Sequence, residues 1–176
     1  MASIRSAGKL GLAMKYLSLL RHAKSSWKDP TLDDFDRPLN RRGKASAPLM
    51  GERLAALDHN PDIIIASPAV RARNTAELVA AELHLDEHAL LLDERIYEAD
   101  CETLITLVRG LKDDWQDVLL VGHNPGLTEL ANLLAPCHID NIVTCGIVRL
   151  EFPLASWQDV GGMSGRMQFY DRPKRS

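Results

Sequence analysis

Apolar residues along this chain gather into short runs separated by longer stretches of helical period. Leu17 to Leu20, interrupted only by Ser18, reads as a buried strand. Ile63-Ile64-Ile65-Ala66 and Val118-Leu119-Leu120-Val121 are wholly apolar. Such runs suit strands covered on both faces, as in a parallel sheet flanked by helices. His88 to Leu92 reads as a weaker strand, and Ile142–Phe152 and Arg166–Tyr170 as two late ones. Trp157 to Gly165, with its three glycines, is the expected turn between those two.

Helical spacing fills the gaps. Ala47, Met50, Leu54 and Leu57 fall on one face of a helix that Asn40 caps and that runs to about His59. Pro48 and Gly51 predict a kink or a late start within it. Ser67-Pro68 predicts an N-cap and first residue for a second helix, with Ala72, Ala76, Val79 and Leu83 facing inward. Asp100 caps a third, with Leu104, Leu107, Val108 and Leu111 at core spacing. Asn124-Pro125 opens a fourth, with Leu127, Leu130 and Leu134. Strands alternating with helices predict an α/β fold, a three-layer α/β/α sandwich around a mostly parallel sheet.

The polar residues that interrupt this pattern fall where strands end. The first strand delivers Arg21 and His22, the second feeds a helix whose first turn carries Arg71, and the third delivers His123. If the strands are parallel, these ends share one edge of the sheet, the edge where ligands bind in open α/β folds. Guanidinium groups, imidazoles and helix N-termini on one point suit a phosphoryl group. A long polar link, Ser25 to Asn40, follows the first site, and a loop of that length in a small domain is often functional. Asp93 to Glu98 is expected to be a loop at the sheet edge.

Composition narrows the classes. With 176 residues the chain suits one domain, taken as residues 14–171, and its net charge of −3 gives no basic field for nucleic acid. No apolar run approaches a membrane span. Three scattered cysteines and six histidines without metal-ligand spacing predict reduced thiols, a cytoplasmic protein, no metal and no cofactor. Residues 1–13 hold Arg5 and Lys9 and no acid, and are expected to be a disordered extension. Residues 172–176 form a basic tail.

Three segments in order carry a family likeness. Leu19-Leu20-Arg21-His22-Ala23 resembles the Arg-His-Gly signature of the histidine phosphatase superfamily. Ser67-Pro68-Ala69-Val70-Arg71-Ala72-Arg73-Asn74-Thr75 resembles its Ser-Pro…Arg…Thr segment, and Val121-Gly122-His123 its second-histidine segment. The short chain and Asp36-Arg37-Pro38-Leu39…Gly43 are most similar to the compact SixA-like branch. The resemblance implies a phosphoglycerate mutase-like fold and a metal-independent phosphatase in which His22 attacks phosphorus while Arg21, Arg71 and His123 hold the phosphoryl oxygens. It marks Glu94 as the candidate general acid, with Glu98 the alternative, and Lys28 as a further phosphate contact. Ala23 departs from the glycine of the signature, which bears on any backbone angle that needs glycine. The implied substrate is phosphohistidine on a partner protein such as a histidine phosphotransfer domain. The alternatives are a small phosphomonoester, such as a sugar phosphate or nucleotide, and a non-catalytic phosphate-binding module.

Overall fold

The computed structural model describes residues 13–174, so the expected N-terminal extension, apart from Ala13, and the last two residues of the tail lie outside it. Six strands form one sheet: β1 (Lys15–Arg21), β2 (Ile63–Ala66), β3 (Leu90–Leu92), β4 (Asp117–Gly122), β5 (Ile147–Phe152) and β6 (Arg166–Asp171). Four helices alternate with them: α1 (Arg41–Ala56), α2 (Val70–Glu82), α3 (Cys101–Arg109) and α4 (Gly126–Leu134). The strand order is β3-β2-β4-β1-β5-β6. β1 through β4 run parallel, β5 is antiparallel to β1, and β6 turns back against β5.

The inner strands β1, β2, β4 and β5 bury both faces because their side chains alternate between two cores, whereas β3 at the edge leaves Leu91 and Leu92 exposed. Leu17 and Leu19 of β1 point into a core made with α3 and α4, whereas Leu20 points into the core under α1 and α2. Ile63 and Ile65 divide from Ile64 in the same way on β2. The three-layer arrangement follows directly. Ser18, the one polar residue in the first run, is buried and accepts a hydrogen bond from Arg149 at 3.1 Å, and Arg149 in turn pairs with Asp117 at 2.7 Å.

Several boundaries differ from the sequence reading. α1 starts on time, with the Asn40 side chain accepting from the Gly43 amide at 2.9 Å, and continues through Pro48 to Ala56. α2 starts at Val70 behind Ala69, not at Pro68; the Ser67 hydroxyl accepts from the Ala69 amide at 3.2 Å and meets His123 Nε2 at 2.7 Å, ahead of the helix. α4 starts at Gly126; Asn124 still serves its first turn, accepting from the Thr128 hydroxyl at 2.9 Å and its amide at 3.3 Å. α3 ends at Arg109, short of Leu111. The strand expected from Ile142 begins only at Ile147, because Ile142 to Cys145 turn across the end of β1 to make bonds there. Trp157, expected in a turn, is fully buried against Phe152 and donates its indole N–H to the Trp115 carbonyl at 2.7 Å.

The long link after β1 is a closed loop. Its neck is tied by Asn40 N–H to Lys24 C=O (2.9 Å), Ser26 N–H to Pro38 C=O (2.8 Å) and an antiparallel bridge between Ser25 and Leu39. Gly43 lets α1 approach this neck, since a Cβ there would run into the Lys24 carbonyl oxygen. At the far side of the loop a single 3-10 turn, Asp34–Asp36, folds back over the sheet edge.

Candidate active site

β1 and β4 are neighbours in register, with Arg21 opposite Gly122, so His22 and His123 leave the sheet side by side. Their rings lie 5.2 Å apart. The His22 amide donates to the Gly122 carbonyl at 3.0 Å, which extends the parallel ladder one residue into the site. Arg71, in the first turn of α2, reaches between the two rings: its Nε donates to His22 Nε2 and its Nη2 to His123 Nδ1, each at 3.4 Å. Thr75, one turn on, accepts from the Ala23 amide at 2.9 Å and donates to the Arg71 carbonyl at 2.7 Å. That hydroxyl clasps the end of β1 onto α2, so nucleophile candidate and guanidinium share one support.

The partners decide both tautomers. His22 Nδ1 faces the Ala23 carbonyl at 2.8 Å, and a carbonyl only accepts, so Nδ1 carries the hydrogen. Nε2 is left with its lone pair, consistent with the guanidinium N–H aimed at it. By the same logic His123 Nδ1 accepts from Arg71, and its Nε2–H donates to the Ser67 hydroxyl at 2.7 Å. Burial, followed by the charges of Arg71, Arg21 and Arg37, pushes His22 down to about 4 against the pull of the Ala23 carbonyl. Burial, followed by His22 and Arg71, pushes His123 down to about 3. Both rings are therefore neutral near neutral pH.

Arg21 projects from the last position of β1. Its Nη1 donates to the Ile142 carbonyl at 2.9 Å. Its Nε is buried and, among the described residues, is the one buried side-chain donor or acceptor without a partner. Ala23 occupies the signature's glycine position without a left-handed backbone and is fully buried, so this substitution is accommodated.

Two groups that sequence reasoning did not single out complete the cluster. Asp34, from the long loop, receives the Arg71 Nη2 at 3.0 Å on its carboxylate and Nη1 at 2.6 Å on its carbonyl. Arg37 grips the other carboxylate oxygen through Nε and Nη2 at 3.1 and 3.0 Å. Tyr97 donates its hydroxyl to Asp34 at 2.8 Å and sets its ring edge-on to His123, centroids 5.6 Å apart. Burial alone would raise Asp34, but the bonds from Tyr97, Arg37 and Arg71 outweigh it and hold the carboxyl at about 2. Burial and the bond to Asp34 push Tyr97 up to about 12. The adjacent acids in Asp33-Asp34 and the run Ile96-Tyr97 were visible, but nothing in a linear sequence ties a loop acid to a tyrosine 63 positions away.

Other expected contributors stand apart. Glu94 and Glu98 are exposed, and neither makes a side-chain hydrogen bond to the cluster; from their segment it is Tyr97 that turns inward. Lys28 is exposed and makes no side-chain bond among the described residues. The cation that the loop sends inward is Arg37, which also lies 3.6 Å over the Trp27 ring. No group of three or more His, Cys, Asp or Glu among the described residues is arranged to hold a metal ion.

A family model for the histidine phosphatase superfamily (branch 1) matches residues 17–117. The chain belongs to that superfamily. An uncharacterized chloroplast protein of Arabidopsis thaliana is 32% identical over 157 residues, covering 85% of this chain and 72% of the relative. Among solved structures, SixA of Agrobacterium tumefaciens is 27% identical with a TM-score of 0.76 over 91% of this chain and 99% of that one. A protein histidine phosphatase SixA complexed with tungstate matches with a TM-score of 0.77 at 20% identity, over 90% of this chain and 97% of that one. The phosphoglycerate mutase-like fold and the SixA-like character read from the sequence therefore hold. Membership in the superfamily supports phosphatase activity.

Proposed function

We propose that this histidine phosphatase removes phosphoryl groups from phosphohistidine on a partner protein, through a phosphohistidine intermediate on His22. The observation that carries the reading is the unprotonated Nε2 of His22, its ring held neutral and its lone pair meeting only the Arg71 Nε–H, a long bond at 3.4 Å that an incoming oxyanion can take over. An oxyanion seated against Arg71 presents its central atom to that lone pair. In the first step Nε2 forms a bond to phosphorus as the bond to the substrate's imidazole nitrogen breaks, and the substrate ring, protonated on its other nitrogen, leaves as neutral imidazole. Positive charge then develops on the His22 ring, where the Nδ1–H bonded to the Ala23 carbonyl stabilises it. In the second step water attacks phosphorus and Nε2 leaves, releasing phosphate and the free enzyme. Splitting the displacement this way is the usual advantage of covalent catalysis.

Arg71, the N–H groups at the start of α2 and the unpartnered Arg21 Nε supply donors for the charge that grows on the phosphoryl oxygens. The site draws no acid from Glu94 or Glu98. An imidazole leaves more readily than an alkoxide, so a phosphohistidine substrate asks little of a general acid. Asp34 lies against the donors that a phosphate needs, so the loop has to yield or share them as substrate enters. The same loop exposes Trp27, stacked on Arg37, and Phe35, set against Tyr97, beside the site. Exposed apolar side chains next to a reaction centre favour a macromolecular substrate over a small ester.

The test is a comparison of kcat/KM in EDTA for a phosphohistidine-bearing histidine phosphotransfer domain and for small phosphomonoesters, with acid-quench capture of labelled enzyme. The expected result is strong preference for the phosphoprotein and a phosphoenzyme that His22→Ala cannot form. Labelled His22→Ala protein at normal yield defeats the nucleophile assignment; preference for one small ester defeats the substrate assignment.

A further inference from the structure

A groove of about 720 Å³ opens where β1 ends, and neither Asp34 nor Tyr97 lines it. Its walls are Lys24, two residues past His22; the Arg42-to-Leu49 face of α1; Val143 and Thr144 before β5; and Arg172 to Lys174 after β6. It is anchored to the reaction centre, because the Cys145 amide beside Thr144 donates to the carbonyls of both Arg21 and His22, each at 3.1 Å.

The lining is one-sided in charge. Lys24, Arg42, Arg172 and Lys174 meet there and no acidic residue lines it, although the whole chain carries −3. Lys24, Arg42 and Lys174 form no ion pair among the described residues. The neighbouring acid, Asp171, is taken by Arg53 at 3.2 Å. Between the cations the floor is apolar, with Leu49 and Val143. An apolar floor ringed by like charges is the anatomy of a peptide-binding surface more than of a single-anion subsite. Residues 1–12 do not match it, since they carry Arg5 and Lys9 and no acid.

We propose that this groove docks an acidic, amphipathic segment of the protein substrate, so that the partner is held at its phosphoryl group and at a second place. The inference rests on the reading of the substrate as a phosphoprotein. It assigns Lys24, Arg42, Leu49 and Lys174 to substrate selection, apart from the chemistry at His22.

The test uses the full chain and a fluorescein-labelled peptide of repeated Glu-Leu-Glu-Ala, read by anisotropy at low salt. The peptide should bind the wild-type protein, and Arg42→Glu/Lys174→Glu should weaken it by at least ~10-fold, since opposed like charges cost several kcal/mol. The same variant should lose kcat/KM on the phosphohistidine protein by a similar factor, through KM, and hydrolyse p-nitrophenyl phosphate as the wild type does, which also reports its folding. A neutral Arg42→Gln/Lys174→Gln variant should fall between. No binding by the wild type, or equal binding by the charge-reversed variant, overturns the proposal. So does binding of tripolyphosphate that depends on Arg42 when the peptide does not bind, since the groove then takes a small polyanion. Arg42-dependent peptide binding by an enzyme that leaves phosphohistidine untouched would support the groove and defeat the proposed substrate chemistry, so the two failures are distinct.

Discussion

His123 illustrates how one bond sets a residue's chemistry. Its Nε2–H is committed to Ser67, a fully buried side chain whose hydroxyl also accepts from the Ala69 amide at 3.2 Å. Ser67→Ala leaves the imidazole N–H without an acceptor in a buried place, a loss of about 1–3 kcal/mol. The ring is then free to adopt the other tautomer and turn Nδ1–H toward Arg71, donor against donor. The expected outcome is lower stability in urea together with a fall in kcat of roughly tenfold or more. A variant with unchanged kcat would show that the tautomer of His123 does not matter to the reaction. The four residues Arg21, His22, Arg71 and His123 were legible in the sequence because each sits within a few positions of a strand end, where local pattern determines placement. Asp34 and Tyr97 were not, since a loop fold, not a periodicity, brings them to Arg71.

At the scale of elements, the site depends on how closely α1 packs beside the end of β1. Gly43 faces the Lys24 carbonyl with no room for a side chain. Gly43→Ala gains helix propensity yet must push the neck of the loop away, and overpacking of this kind costs about 1–3 kcal/mol. Because Lys24 follows His22 so closely, the shift also reaches the nucleophile. A lower urea midpoint with reduced kcat is expected; full stability and full activity would show that the neck gives way freely. Gly126 plays the matching part across the sheet, where a Cβ would meet the Ala99 carbonyl and lift α4 from the α3 side. Helix existence was readable from apolar spacing throughout. Helix starts were less so: Ser67 carries the chemistry of a cap but gives its hydroxyl to His123, a use that only tertiary proximity reveals.

For the whole molecule, the buried neutral histidines tie stability to pH. An unfolded histidine titrates near 6.5, whereas folded His22 and His123 are held at about 4 and about 3. Between those values the unfolded chain binds more protons, so stability is highest above 6.5 and falls as the solution is acidified. Each of the two contributes a slope of up to roughly 1.4 kcal/mol per pH unit across its window. His59, lowered by burial and by Arg149, acts in the same direction. Urea unfolding at about pH 7 and about pH 5 in phosphate-free buffer should show the loss, and His22→Asn/His123→Asn should flatten it. Equal stability at both values would mean that the rings are solvated.

The tied neck between Lys24 and Asn40 has a consequence for how such a protein can change over generations. Ser26 to Pro38 hangs from a closed clasp, so insertions, deletions or wholesale exchange there leave the strand end and its histidine where they are. The surface that this segment shows to a partner can be rewritten without moving the histidine, provided that some acid returns to meet Arg71. Recognition and chemistry are thus separable units of inheritance in this chain, and a loop grafted between those two anchor points is a direct route to redirecting the enzyme.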